Sequence, residues 1–336
     1  MKGYFISKNY RSNTSAAGKA KIDCEDILIK NGYVNIGLKR TISTNNLYGF
    51  IRNLFNVLVA AIRLKSGSTL ILQYPLKKYH RFICRIAVSK KCRIITIIHD
   101  LRSLRRKKVA IDREIRDLNM SDVLIVHNEN MKAWLKEQGC TSKMVILGIF
   151  DYLSEETPVV QDFSKPVDVV FAGSVSYKRS YFPSKFSPDI TGFRFNLYGG
   201  RGELDSIKDN PVINYKGIFD ANVLISKMKG HFGLVWDGPD LNTCSGGHGE
   251  YLIYNNPHKT SLYIRCHLPV IIWSESAMAG FVKENNIGIV LNSIENLEKI
   301  LSDINEDEYS IMMKNTESVA GKLKNGYYLT TALDNC

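Results

Sequence analysis

Three short segments of this chain carry residue types suited to holding a charged phosphate or moving a proton. In the first, Val167-Asp-Val-Val-Phe-Ala-Gly-Ser174 reads as a buried strand running into a Gly-Ser turn, with Lys178 and Arg179 just beyond it. Backbone amides around Gly173 and Ser174, joined by one of the two cations, suit a diphosphate. The other reading is a solvated loop whose charges face water. In the second, Asn255-Asn-Pro-His-Lys-Thr260 opens a helix just before the apolar run Leu268-Pro-Val-Ile-Ile-Trp273. Pro257 fits a helix start because its missing N–H had no partner to lose. Lys259 fits less well, since a cation in the first turn opposes the positive end of the helix, a conflict that a bound anion removes. An exposed lysine tolerated at a cost of about 0.3–1 kcal/mol is the alternative. The third, Ile97-Ile-His-Asp100, ends a strand. His99 or Asp100 there could take the proton of an acceptor hydroxyl; equally, His99 could satisfy a strand-end carbonyl while Asp100 caps the next turn.

Weaker signals surround these. The Gly-rich stretch Asp237 to Glu250 could be a lid over a substrate or a plain surface loop, and Asp237 with Asp240 could hold a metal. No D-x-D stands at the end of the apolar strand before it, so metal-dependent sugar transfer has little support. Thr14 and Ser15 belong to a polar loop after the first strand and are candidates for the acceptor side. From Lys77 to Lys108, twelve lysines and arginines face one acid, Asp100. That segment reads as an anionic-membrane contact, a nucleic-acid surface or a solvated helix face. With few aromatics (Tyr79, Phe82) for base stacking, nucleic acid is not expected as a partner.

The elements that position these groups follow from periodicity. Strands are expected at Tyr4–Ile6, Tyr33–Leu38, Thr69–Gln73, Arg93–Ile98, Asp122–His127 and Met144–Leu147, with amphipathic helices between them, the first from about Ser15 to Lys30. Asp151 to Pro166 is polar, contains Pro158 and Pro166, and reads as a linker. Strands follow at Asp168–Phe171, Phe193–Tyr198, Val212–Tyr215, His231–Trp236, Val270–Trp273 and Gly288–Leu291. Helices are expected near Ala221–Lys229, His258–Cys266, Ser276–Asn285 and Glu295–Ile304. The fold class is therefore α/β: two Rossmann-like domains with parallel sheets facing an interdomain cleft, over residues 1–150 and 167–319, with a final helix near 320–334 packing back on the first.

Bulk properties agree with a globular chain of two domains. It has 336 residues, 44% hydrophobic and 23% charged. The net charge of +12 favours an anionic partner. Seven scattered cysteines without a C-x-x-C pair suit a reducing cytosol rather than a disulfide framework or a zinc site. The start lacks the apolar core of a signal peptide, and the apolar stretch around Leu54–Leu64 is broken by Asn56 and Arg63 and is too short to span a bilayer. The expectation is a cytoplasmic protein, with peripheral contact on the inner face of the plasma membrane as a hypothesis from the basic segment. Self-association into a homo-oligomer is left open.

In order along the chain stand the polar loop after strand one, Ile97-Ile-His-Asp100, Phe171-Ala-Gly-Ser174, Ile213-Asn-Tyr215 and His231-Phe-Gly-Leu-Val-Trp236. The Lys259 helix, Leu268-Pro-Val-Ile271 and Glu284-Asn-Asn-Ile-Gly288 follow. This pattern resembles the bacterial glycosyltransferases that include glucosyltransferase 3 of adhesin glycosylation and the β-1,6-galactofuranosyltransferases of surface polysaccharide assembly. The resemblance implies a GT-B fold, no cofactor, and hexosyl transfer from a UDP-sugar donor to a glycan, glycolipid or glycoprotein acceptor. It implies a donor bound mainly by the C-terminal domain without an essential metal, through Arg179 or the adjacent Lys178, Tyr215 and Lys259, with Asn256 and Thr260 beside the phosphates or uracil. Two alternatives belong to other classes. One is a non-catalytic glycosyltransferase-like subunit that binds nucleotide or glycan. The other, a nucleotide-sugar epimerase or dehydrogenase, needs a G-x-G-x-x-G turn after strand one, and Ser7 to Thr14 has none.

Overall fold

The computed structural model describes residues 3–10, 16–76, 79–106, 109–159, 161–177, 179–200 and 202–336. The chain divides into two units, Met1–Asp151 with Gly326–Cys336, and Tyr152–Asn325.

The first unit runs β1 (Gly3–Phe5), β2 (Asn9–Tyr10), α1 (Ala16–Lys30), β3 (Val34–Asn35), β4 (Thr41–Ile42), α2 (Asn46–Arg63) and β5 (Thr69–Tyr74). It continues through α3 (His80–Ser89), β6 (Arg93–Ile98), α4 (Arg102–Arg106), α5 (Ile111–Leu118), β7 (Val123–Val126), α6 (Glu129–Glu137) and β8 (Lys143–Ile146). Its main sheet is parallel, in the order β3-β1-β5-β6-β7-β8. β5 and β6 are near-continuous apolar runs because both their faces are covered. Leu70, Leu72 and Ile94 pack there against Val57 and Ala60 of α2 and Ile83 and Ala87 of α3. Helix starts follow local chemistry: Asn45 Oδ1 accepts from the Tyr48 amide (3.0 Å) and Asn128 Oδ1 from the Met131 amide (2.9 Å). Two details depart from expectation. The strand expected over Tyr33–Leu38 is only Val34–Asn35, and part of the expected polar loop, Asn9–Tyr10, pairs with Thr41–Ile42 in a separate two-stranded sheet.

The second unit runs β9 (Val167–Ala172), β10 (Phe193–Tyr198), β11 (Ile213–Gly217), β12 (Phe232–Val235), α7 (Gly246–Gly249), α8 (His258–Arg265) and β13 (Val270–Trp273). Then come α9 (Ala279–Glu284), β14 (Gly288–Leu291), α10 (Leu297–Asp303) and α11 (Glu306–Asn325). All six strands are parallel, in the order β11-β10-β9-β12-β13-β14. Between the linker's start and β9 there is no helix or strand among the described residues. The helix expected over Ala221–Lys229 is only a 3-10 turn, Val223–Ser226. Among its described residues the β9–β10 crossover likewise holds just Phe182–Lys185 in 3-10 form. Pro183 and Pro188 interrupt any longer helix there, and the segment instead inserts Phe182 and Phe186 among Phe171 and Phe195, with ring centroids 5.1–5.2 Å apart for Phe186–Phe195 and Phe171–Phe182.

The closing helix α12 (Tyr327–Asp334) belongs to the first unit. The buried Asp151 carboxylate accepts from the Tyr328 (3.1 Å) and Leu329 (2.8 Å) amides in its first turn.

Candidate functional site

In the second sheet the strand order reverses between β9 and β12, so a crevice is expected outside their carboxyl ends. β9 leads into Gly173, whose amide donates to the Tyr198 carbonyl at 2.9 Å. The following strand end comes equally close: Gly199 has φ +105°, and a Cβ there would lie 2.7 Å from the Gly173 carbonyl oxygen. Only glycine fits. Ser174 is half-buried at this turn, and Tyr215, half exposed on β11, has its ring against Gly200.

From β12 the chain passes Trp236 to Asp237. Asp237 Oδ1 accepts from Lys259 Nζ (2.9 Å) and from Ser180 Oγ (2.8 Å). Lys259 Nζ also reaches the Trp236 carbonyl at 3.2 Å and sits 4.5 Å from the centroid of the Phe171 ring. Both charged groups are buried, Lys259 at 7% exposure and Asp237 at 5%. The loop after β9 is stitched to this strand end: the Gly238 amide donates to the Arg179 carbonyl (2.6 Å) and the Tyr181 amide to the Gly238 carbonyl (3.0 Å).

This arrangement corrects the expectation for Lys259. Its ammonium is neither exposed nor lacking a counter-charge, because Asp237 supplies one. Burial by itself raises the Asp237 carboxyl, but the charges of Lys259 and Arg179 outweigh it and hold the group below the ordinary carboxylate value. Burial lowers the Lys259 ammonium, with Asp237 pulling the other way and Arg179 adding to the lowering. The two directions compete for one proton. The carboxylate, carbonyl and ring face around Nζ all favour the ion pair.

Arg179 is half-buried, and its guanidinium has no hydrogen-bond or ion-pair partner among the described residues, although its charge acts on both Asp237 and Lys259. Thr260 is fully buried, and its hydroxyl has no hydrogen-bond partner among the described residues; nor has the amide oxygen of Asn255, which the sequence did not single out. Asn256 is buried beside them. Lys178 lies outside the described residues.

The Asp237–Glu250 stretch contains α7 and runs into a 3-10 turn, Glu250–Ile253. Gly238, at φ +113°, lets it fold back on the Ser245 backbone. The metal expectation for Asp237 and Asp240 meets a simpler arrangement: each carboxylate faces an ammonium, Asp237 that of Lys259 and Asp240 that of Lys185. Among the described residues no group of three or more His, Cys, Asp or Glu is arranged to hold a metal ion.

In the first unit, β6 ends at His99 and Asp100. His99 is buried, its ring stacked on Phe150 with centroids 5.3 Å apart. Gln73 Nε2 donates to the Lys21 carbonyl (3.2 Å), which turns Gln73 Oε1 toward His99 Nε2 at 2.7 Å. On this assignment Nε2 carries a proton and donates to Gln73 Oε1. Asp100 is half-buried, and Arg105 Nη1 lies 2.6 Å from both of its oxygens. Behind them His127 Nε2 donates to the Ile98 carbonyl (2.9 Å), and burial pushes its pKa down to about 4. Lys21 of α1, another residue not singled out from sequence, is lowered by burial and raised by the Asp100 charge. Nothing in its sequence context distinguishes it from Lys19 or Lys30. Thr14 and Ser15 lie outside the described residues.

Comparison with known proteins places this geometry in a family. The N-terminal domain model of the glucosyltransferase 3-like family matches residues 3–149, and its C-terminal domain model matches residues 169–336. The chain is 32% identical over 353 aligned positions to the beta-1,6-galactofuranosyltransferase WbbI of Escherichia coli (strain K12), covering 98% of this chain and 97% of that one. It is 27% identical to glucosyltransferase 3 of Streptococcus gordonii, covering 74% of this chain and 71% of the relative. Among solved structures, the sucrose-phosphate synthase of Thermosynechococcus elongatus superposes with a TM-score of 0.64 at 12% identity, over 100% of this chain and 98% of that one. A glycosyltransferase of Rickettsia africae gives 0.57 at 10%, over 99% and 97%. With its two parallel-sheet units and both domain models matched, this chain belongs to the glucosyltransferase 3-like family of GT-B glycosyltransferases.

Proposed function

We propose that the chain moves a hexosyl group (glucose, galactose or galactofuranose) from a UDP-sugar to a glycan or glycoconjugate acceptor in bacterial surface polysaccharide or glycoprotein synthesis. The observation that carries this reading is the gathering of cations at the β9–β12 strand ends. A buried ammonium on Lys259 and a guanidinium on Arg179 stand there, the latter without an ion-pair partner among the described residues, with the Thr260 hydroxyl next in the chain to Lys259. When the bond from the anomeric carbon to the diphosphate breaks, the electron pair leaves with UDP. Lys259, Arg179 or Lys178, and the amides near Gly173 and Ser174 stabilise that charge, so the transfer needs no metal. Tyr215, Asn256 and Thr260 hold the rest of the nucleotide. The acceptor oxygen bonds to the anomeric carbon and gives its proton to His99 or to Asp100, with Thr14 and Ser15 on the acceptor side.

One observation favours a second reading, a nucleotide-binding subunit without activity of its own: both candidate bases already have partners, Asp100 in Arg105 and His99 in Gln73. A single set of assays separates the two. Thermal shift across UDP, GDP, CMP and UDP-hexoses should raise the melting midpoint for uridine nucleotides only, by mass action. UDP release from a UDP-hexose should persist in EDTA and fall by about 100-fold or more in Lys259→Ala. Wild type that binds UDP and releases none supports the subunit; wild type indifferent to every nucleotide overturns both.

A further inference from the structure

Helix α2 of the first unit is apolar on two sides. Its inner side sends Val57 and Ala60 into the core. Its outer side leaves Leu47, Ile51, Leu54, Phe55, Leu58 and Ile62 in solvent, with Ile62 81% exposed, Leu47 68% and Phe55 56%. A helix apolar all round is normally covered on every side, and a continuous exposed stripe of this kind marks a contact surface rather than the scattered apolar side chains of an ordinary exterior.

The charge around the stripe indicates what covers it. Residues 27–99 contain thirteen lysines and arginines and no aspartate or glutamate. Lys39, Arg52, Arg63 and Lys65 lie on or beside α2, and none forms an ion pair among the described residues. Arg52 and Arg63 each donate to one backbone carbonyl (Lys39, 3.0 Å; Gly37, 3.3 Å) and keep their charge unpaired among the described residues. In the basic segment Lys77–Lys108 some of the charge itself is neutralised. Arg81 pairs with Asp117, Arg105 with Asp100, and Lys90 donates to the Ala61 and Leu64 carbonyls (2.8 and 2.7 Å). No helix among the described residues is long and apolar enough to cross a membrane. An apolar stripe flanked by cations, on a segment with no acid from residue 27 to residue 99, matches the acyl-headgroup boundary of an anionic bilayer. A second copy docking face to face would set cations against cations.

We propose that the outer face of α2 is a membrane-docking surface that lies in the plane of an anionic lipid leaflet, with Leu47, Leu54, Phe55, Leu58 and Ile62 inserted and Lys39, Arg52, Arg63 and Lys65 at the headgroups. This does not depend on the transfer chemistry proposed above. The test is co-sedimentation of the full chain with vesicles of phosphatidylcholine alone or with added phosphatidylglycerol. Wild type should pellet with the anionic vesicles, should stay in solution with the neutral ones, and should be released by salt. Leu54→Glu with Phe55→Glu should weaken that binding at least about tenfold. Ile62→Glu, at the most exposed position, should weaken it with an unchanged melting midpoint, which separates lost docking from lost folding. No binding by wild type, equal binding to both vesicle types, or variants that bind as wild type does would overturn the proposal. So would a lipid-independent dimer that these substitutions dissociate while wild type ignores vesicles, since the face would then serve self-association.

Discussion

Replacing Asp237 by Asn tests the central pair from the side that does not touch donor in the proposed reaction. The substitution keeps the shape and leaves the Lys259 ammonium buried without its counter-charge. Breaking a buried pair in this way costs about 3–5 kcal/mol. A second route bounds the cost, because Lys259 can escape by losing its proton. From an ordinary lysine pKa near 10.4, doing so at about pH 7.5 costs at most about 4 kcal/mol, at 1.36 kcal/mol per unit. The two figures meet near 3–4 kcal/mol, reduced somewhat by the Trp236 carbonyl and Phe171 ring that remain. For a unit the size of Tyr152–Asn325 the melting midpoint should fall by roughly 6–15 °C. The diagnostic measurement is the response to UDP. If the diphosphate lies against Lys259, it replaces the missing negative charge, so the midpoint gain on adding UDP should be larger in Asp237→Asn than in wild type. Lys259→Met with Asp237→Leu removes both charges; it should regain most of the lost stability yet respond to UDP hardly at all. The reasoning fails if Asp237→Asn costs less than about 1 kcal/mol, or if its UDP response is no greater than that of wild type.

The remaining predictions are shorter. His99→Gln should lower the transfer rate by about 100-fold or more with the UDP-induced thermal shift unchanged, because the base acts on the acceptor rather than the donor; equal loss of both would assign His99 a structural role. Asp151 gives a pH signature. Burial raises its pKa to about 7, against which the Leu329 and Tyr328 amides only partly pull. The folded state therefore keeps a proton that the unfolded chain releases near its ordinary value, so stability should fall as pH rises from about 4 to about 7, on the order of 1 kcal/mol per pH unit. Asp151→Asn should flatten that part of a stability-versus-pH curve, and an unchanged slope would show that the carboxyl is not the group responsible.

The central parallel strands were legible because they are compact apolar runs, β-branched in Thr69–Tyr74, Arg93–Ile98 and Val270–Trp273, and mostly buried. The crossovers after β9 and near Ala221 were less so. Phe182 and Phe186 are held by packing with Phe171 and Phe195, a non-local cause that helical periodicity cannot register. The strand ends that gather the candidate donor residues could be read from sequence, but the pairing of Lys259 with Asp237 could not. Twenty-two positions separate the two side chains, and the sequence offered each a different partner, an anion for one and a metal for the other. Helix α2 misled in the opposite sense. Its sequence was read only as an apolar stretch broken by Asn56 and Arg63 and too short to span a bilayer, while Asn56 is in fact buried, donating to the Ser7 carbonyl, and the apolar stripe faces outward.

The return of the chain to its first unit has a consequence for synthesis. Tyr152–Asn325 is a continuous run and can complete its sheet as soon as it leaves the ribosome, whereas the first unit must wait for Tyr327–Asp334. Until then the Asp151 carboxylate has no helix start to cap, and Asn31 and Lys143 lack their contacts with Thr330 and with the Asn335 carbonyl. The unit translated first is thus the last to be finished, and a nascent chain stalled before Gly326 holds a mature second unit beside an open first one.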